Sequence, residues 1–167
     1  MDAAAFAIGG ESRFFTAADG VRLHARLYDA PGEACPVLCL PGLARTGLDF
    51  DALARALSEG RHGPPRRVAA LDYRGRGESG LDPAGAYEAM TENADILAVA
   101  AGLDMAEAVV VGTSRGGLHA MILAATKPEL LRGVVLNDVG PRLETQGLLR
   151  IRAYVGKLPT PQTYGQA

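Results

Sequence analysis

The residues best placed for chemistry are Gly112-Thr113-Ser114-Arg115-Gly116, a serine with a glycine two positions to either side. A serine attacks a carbonyl carbon only when a base takes its proton and something holds the charge that develops on the carbonyl oxygen. A sharp turn from strand into helix supplies part of this. It lifts the hydroxyl clear of the backbone and aims the first amide N–H groups of the helix at the space beside it. Glycines on both flanks suit such a turn, because side chains there would collide across the bend. The competing reading is a glycine-rich turn in which Ser114 only caps the following helix.

The surrounding residues predict the turn. Ala108 to Val111 is a short β-branched run, expected to be a strand buried on both faces, and Leu118 to Ala125 is a run of helix formers. Upstream, Val37-Leu38-Cys39-Leu40 predicts a central strand that breaks at Pro41-Gly42, followed by a helix over residues 50–57 with Phe50, Leu53, Ala54 and Leu57 on one face. Residues 68–71 predict another buried strand. Residues 87–103 predict a long helix with Met90, Ala94, Leu97 and Ala101 at helical spacing, and residues 133–136 a further strand. Strands thus alternate with helices from Val37 to Leu136, which predicts a mostly parallel, doubly wound α/β sheet. Ligands of such sheets bind at the carboxyl ends of the strands. Residues 41–47, 72–80, 112–116 and 137–141 share that edge. Ahead of them, Asp19-Gly20 between two short alternating segments predicts an antiparallel edge hairpin, half solvated, with His24 on its polar, surface phase.

Composition bounds the function. The 167 residues form one domain by length, with 48% hydrophobic and 22% charged residues and a net charge of −2. Both signs are interspersed and Arg74-Gly75-Arg76-Gly77 has no basic field around it, which argues against nucleic acid. No apolar run reaches the length of a membrane span. The N-terminus lacks the basic start of a signal peptide. Cys35 and Cys39 are too far apart along one strand for a disulfide, so a reducing, cytoplasmic setting is expected. No Cys/His spacing suggests a metal.

Three motifs in order, Leu40-Pro41-Gly42, Asp72-Tyr73-Arg74-Gly75-Arg76-Gly77-Glu78-Ser79 and Gly112-Thr113-Ser114-Arg115-Gly116-Gly117, resemble the α/β-hydrolase superfamily. Within it the chain resembles the bacterial esterase and enol-lactonase type, which carries a helical cap after the sixth strand. The resemblance runs from about Phe14 onward. It implies Ser114 as nucleophile, an oxyanion hole made by the amides of Leu43 and Arg115, a small-molecule ester or lactone substrate, and no cofactor or metal. The serine sets the chain apart from relatives with an aspartate nucleophile. Most relatives have His-Gly where this chain has Pro41-Gly42, a change the hole tolerates because its donor is the next backbone amide. Some esterases place the triad's acid just after the sixth strand, the position of Asp138; a turn-forming aspartate is the alternative. By this resemblance residues 1–142 are the N-terminal portion of the hydrolase core and residues 143–167 the start of an incomplete cap. The family's histidine would lie beyond.

A serine without a base is a weak nucleophile. None of the three histidines is expected to serve. His24 belongs to the edge hairpin, His62 to a loop on the opposite edge of the sheet, and His119 to a helix from which it should point into packing. Arg45, Arg74 and Arg76 near the catalytic edge are expected to pair with Asp72 or Glu78 rather than bind an acidic substrate. Three functions follow: a serine hydrolase of esters or lactones, an inactive truncated hydrolase or pseudo-enzyme, and an acyltransferase or cofactor-free haloperoxidase. Leu148, Ile151, Val155 and Leu158 form an apolar stripe, and with an unpaired last strand they imply self-association.

Overall fold

A computed structural model describes residues 8–155. Its centre is a six-stranded sheet in the order β1-β2-β4-β3-β5-β6, formed by β1 (Glu11–Thr16), β2 (Arg22–Tyr28), β3 (Val37–Leu40), β4 (Val68–Asp72), β5 (Ala108–Thr113) and β6 (Leu131–Asn137). β4, β3, β5 and β6 are mutually parallel; β1 and β2 form an antiparallel hairpin joined antiparallel to β4. The doubly wound α/β sheet expected from the alternation of strands and helices is therefore present.

Each strand's composition follows its neighbours. β3 and β4 lie inside the sheet and every residue of both is buried, the environment in which unbroken apolar runs are stable. β5 departs from the expected burial on both faces. Ala108, Val110 and Gly112 are buried while Val109, Val111 and Thr113 are only half covered. β6, the edge strand beside it, exposes Val134 and Val135. The main core lies on the face of Val110, where Leu23, Leu38, Leu40, Leu71, Ile96, Val99, Val110 and Leu123 pack together. A smaller core around Tyr28, Cys39, Phe50, Ala54 and Val68 lies under α1 (Asp51–Ser58), which follows a 3₁₀ turn at Gly47–Phe50. Leu53, expected on the buried face of this helix, is 39% exposed.

Two expectations fail for a shared reason. The hairpin is at the edge, but β2 is an interior strand whose polar phase is covered. His24 is 3% exposed, held between Asp72 and Ser12, and the expected surface histidine is a core residue. In α2 (Ala89–Gly102) the expected stripe is on the wrong side: Met90, Ala94 and Ala101 are exposed, and Glu92, Asn93, Asp95, Ile96, Val99 and Ala100 are buried. Apolar periodicity misplaced this face because carboxylates inside it meet arginines. Asp95 receives Arg74 through Nε and Nη2, each at 2.7 Å. Charged groups are buried when they are paired in this way. The loop arginines are paired as expected, but with other partners: Arg74 with Asp95, Asp82 and Asp19, Arg76 with Glu92, and Arg45 with Asp49.

α3 (Arg115–Thr126) follows β5 directly, and α4 (Thr145–Tyr154) follows β6. Among the described residues no helix is long and apolar enough to cross a membrane. Leu158 of the expected apolar stripe lies outside the described residues. Cys35 and Cys39 are free thiols.

Candidate active site

The carboxyl ends of β3, β4, β5 and β6 bring their four loops together. The Ser114 amide donates to the Asn137 carbonyl at 2.8 Å, joining the end of β5 to the end of β6. The Tyr73 hydroxyl donates to the Pro41 carbonyl at 3.1 Å, and Arg76 Nε donates to the Leu43 carbonyl at 2.7 Å, joining the β3 loop to the β4 loop. Gly42 lies against the β5 end, where a Cβ on it would come 4.0 Å from Ser114 Cβ.

At the apex Ser114 has φ +51° and ψ −109°, a conformation costly for any residue with a Cβ. The surroundings over-determine it. A Cβ on Gly112 would strike the backbone of Gly116, and a Cβ on Gly116 would strike the Leu40 carbonyl. The glycines are thus required by backbone approach across the bend, the reason inferred from their spacing. The Ser114 side chain makes no capping hydrogen bond to α3, so the N-cap reading has no support in the geometry. Among the described residues the Leu43 amide makes no hydrogen bond, and Arg115 is the first residue of α3, whose amide has no partner within the helix. Both are available donors on the same edge.

Arg115 and Arg76 converge on one buried carboxylate. Glu92 is fully buried; its Oε2 accepts from Arg115 Nε at 2.8 Å and its Oε1 from Arg76 Nη1 at 3.2 Å. Burial alone would raise the Glu92 carboxyl, but hydrogen bonds and charge from His119 and Arg115 outweigh it and hold it below the ordinary glutamate range. Glu92 therefore ties the β3 loop, through Arg76, to the first turn of α3, through Arg115. Sequence reasoning missed this residue. The available signal was Glu92 and Asp95 three apart on one helix face, with Arg74 and Arg76 two apart in the preceding loop.

The other expected residues fall as follows. Asp138 is exposed at the end of β6 with φ +56°, one residue past the carbonyl that receives the Ser114 amide. Its place on the site edge suits the acid, and its left-handed backbone equally suits the turn reading. None of the chain's three histidines joins Ser114. His119 lies between α3 and α2, with Nε2 3.0 Å from Glu92 Oε2, Nδ1 2.8 Å from Asn93 Nδ2 and its ring against Tyr73. His24 is engaged by Asp72 on β4, and His62 is exposed in the loop between α1 and β4. Among the described residues no His/Cys/Asp/Glu group could hold a metal ion.

Comparison with known proteins agrees with this architecture. The family profile described as the alpha/beta hydrolase fold matches residues 36–155. The chain is 39% identical over 138 residues to a 3-hydroxybutyrate-oligomer hydrolase of Cupriavidus necator, covering 80% of this chain and 45% of that protein. It is 31% identical over 138 residues to the sn-1-specific diacylglycerol lipase ABHD11 of Danio rerio, covering 83% and 42%. An alpha/beta hydrolase of Novosphingobium aromaticivorans superposes with a TM-score of 0.79 at 42% identity, covering 88% of this chain and 50% of that one. The chain spans about half the length of these relatives. By profile, sequence and fold, it belongs to the alpha/beta hydrolase family.

Proposed function

We propose that this chain carries the nucleophile half of a hydrolase of carboxylic esters. The observation that carries the reading is Ser114 at φ +51°, presented at the carboxyl edge of the sheet between β5 and α3 and making no capping bond. Its hydroxyl attacks the ester carbonyl, forming the O–C bond as its proton passes to an imidazole. The amides of Leu43 and Arg115 hold the oxyanion, collapse expels the alcohol with that proton, and water then releases the acid by the same path reversed. Asp138 is the acid that orients the imidazole. The ester class is favoured by two relatives, whose names denote cleavage of 3-hydroxybutyrate oligomers and of diacylglycerol. Lactones remain within the same chemistry. The imidazole comes from outside this chain's three histidines, in keeping with relatives about twice as long.

The position of those histidines favours a second reading, an inert elbow in which Ser114 keeps its shape without a base. The two readings separate on treatment with a fluorophosphonate, followed by mass measurement of the intact protein and of its peptides. An adduct on the Ser114 peptide, absent from that peptide in Ser114→Ala, supports the hydrolase reading. A folded chain with Ser114 unmodified sinks it for this chain alone and leaves the inert elbow.

A further inference from the structure

A second serine in this molecule already has a base and an acid. Ser12, on β1 and four strands from β5 across the sheet, has its Oγ 3.0 Å from His24 Nε2. His24 Nδ1 lies 2.8 Å from Asp72 Oδ2. Hydroxyl, imidazole and carboxylate thus run in the order of a Ser-His-Asp triad. The sheet register produces this arrangement: Ser12 pairs with Arg26, Phe14 with His24, and His24 with Asp72, so all five share one face.

The protonation follows from the partners. Asp72 also accepts from the Gly47 amide at 2.7 Å and the Glu78 amide at 3.0 Å. Burial would raise its carboxyl, but these bonds and His24 together hold it below the usual aspartate range. Asp72 is therefore an acceptor and Nδ1 of His24 carries the shared proton. In the neutral ring Nε2 then offers a lone pair to the Ser12 hydroxyl. Glu78 Oε1 is a second, more distant acceptor for that hydroxyl at 3.3 Å, and Arg26 already occupies it at 3.0 Å.

Two further observations distinguish this group from a merely structural chain of bonds. Ser12 is exposed, although His24 and Asp72 beneath it are buried. Arg26 Nη2 donates to Ser12 Oγ at 3.2 Å, and Arg26 Nε is buried without a partner among the described residues. The guanidinium thus already places a cationic donor, Nη2, on the hydroxyl, shared with Glu78. A cavity of about 70 Å³ is lined by His24, Arg26, Asp72 and Glu78, four residues of this group.

We propose that Ser12 is a modification site, a base-activated hydroxyl that takes activated acyl or phosphonyl groups, with His24 as base, Asp72 orienting it and Arg26 facing the oxyanion. In the step, Ser12 Oγ forms a bond to the acyl carbon or phosphorus and its proton passes to His24 Nε2. The bond to the leaving group breaks, and the departing phenolate or fluoride carries off the electron pair. The imidazolium returns its proton to the leaving group or to water. Among the described residues no backbone amide donates to Ser12 Oγ, so the product is a stable Ser12 ester and not turnover.

The test is peptide mapping of the full chain after p-nitrophenyl acetate and, separately, after a fluorophosphonate. Folding of each variant is followed by circular dichroism. The expected result is an adduct on the Ser12 peptide that persists in Ser114→Ala and vanishes in Ser12→Ala, a change at an exposed position. In His24→Gln, which keeps a polar side chain inside, Ser12 labelling slows about 100-fold, the scale of a lost general base. An unmodified Ser12 in the folded chain, or labelling of equal rate in a folded His24→Gln, overturns the proposal. Because Ser114 and Ser12 fall on different peptides, failure here is separate from failure of the hydrolase reading.

Discussion

Glu92 shows how one buried side chain supports both sides of the sheet's carboxyl edge. Arg115, Arg76 and His119 all reach its carboxylate, and no solvent does. Removing one partner of a buried charged group leaves the others uncompensated, a cost of about 3–5 kcal/mol. Glu92→Gln is therefore expected to lower unfolding stability by about that amount, measured by urea denaturation; a loss below about 1 kcal/mol would show the network to be slack. The same carboxylate sets a pH dependence. Its folded value, like that of Asp72, lies below the unfolded one, so its contribution to stability is present above the unfolded value and lost as pH falls through the folded one. Thermal stability should be level from neutral pH down to about 4.5, then decline with further acid as these groups take up protons. The two cysteines diverge for a related reason. Burial pushes the Cys39 thiol up to about 12, and Cys35 is only half buried. Iodoacetamide at pH 8 should alkylate Cys35 and leave Cys39 until the chain unfolds.

At the scale of the element, the β5–α3 turn was the most legible part of the chain. Gly112, Ser114 and Gly116 announce a bend that only small neighbours permit, and the approach of Gly116 to the Leu40 carbonyl gives the reason. Gly116→Ala should be the more damaging of two one-carbon changes. A methyl there meets backbone of a central strand that cannot yield, so soluble folded protein should be largely lost. Gly140→Ala, where a Cβ meets nothing within 4 Å, should be tolerated. Comparable yields of the two by gel filtration would contradict this account of the elbow. The strands were legible for the same kind of reason: Val37-Leu38-Cys39-Leu40 and Val68 to Leu71 are apolar throughout because they are buried on both faces. Helix α2 was not. Periodicity ranks Met90 and Ala94 above Glu92 and Asp95 for burial, and it has no term for a partner that arrives from another loop. His24 misled in the same way, since strand alternation cannot reveal that Asp72 meets its ring and Ser79 its backbone amide. The expected site residues Ser114, Leu43 and Arg115 could be placed on the carboxyl edge of the sheet because that placement depends on backbone turns. No base could be placed in the same way, because no histidine of this chain lies beside Ser114.

For the whole molecule the consequence lies at one side of the sheet. β6 pairs with β5 on one side and is the sheet's edge on the other. Val134 and Val135 are 41% and 50% exposed on its two faces. Beside it, Leu53, Val111, Thr113 and Val135 line an open depression of about 550 Å³ next to the start of α1. An exposed apolar strand with free backbone N–H and C=O groups is a template for pairing with another chain, and native edges normally carry a charge, a proline or a cover to prevent it. β6 has Arg132 near its start, but its middle is Gly133-Val134-Val135-Leu136 with no charge. The 167-residue polypeptide on its own is therefore expected to self-associate through β6, as a sheet continued across two copies. Sedimentation velocity over a range of concentrations should give a weight-average mass that rises with concentration. Val134→Lys places a charge at a 41% exposed position of the edge, on the same face as Val110 of β5, and it should return the protein to a monomer with its circular dichroism unchanged. A wild-type chain that stays monomeric at every concentration would show that β6 is protected by something other than pairing. A Val134→Lys variant that still associates would move the contact from this edge to α4 or to the outer face of α2.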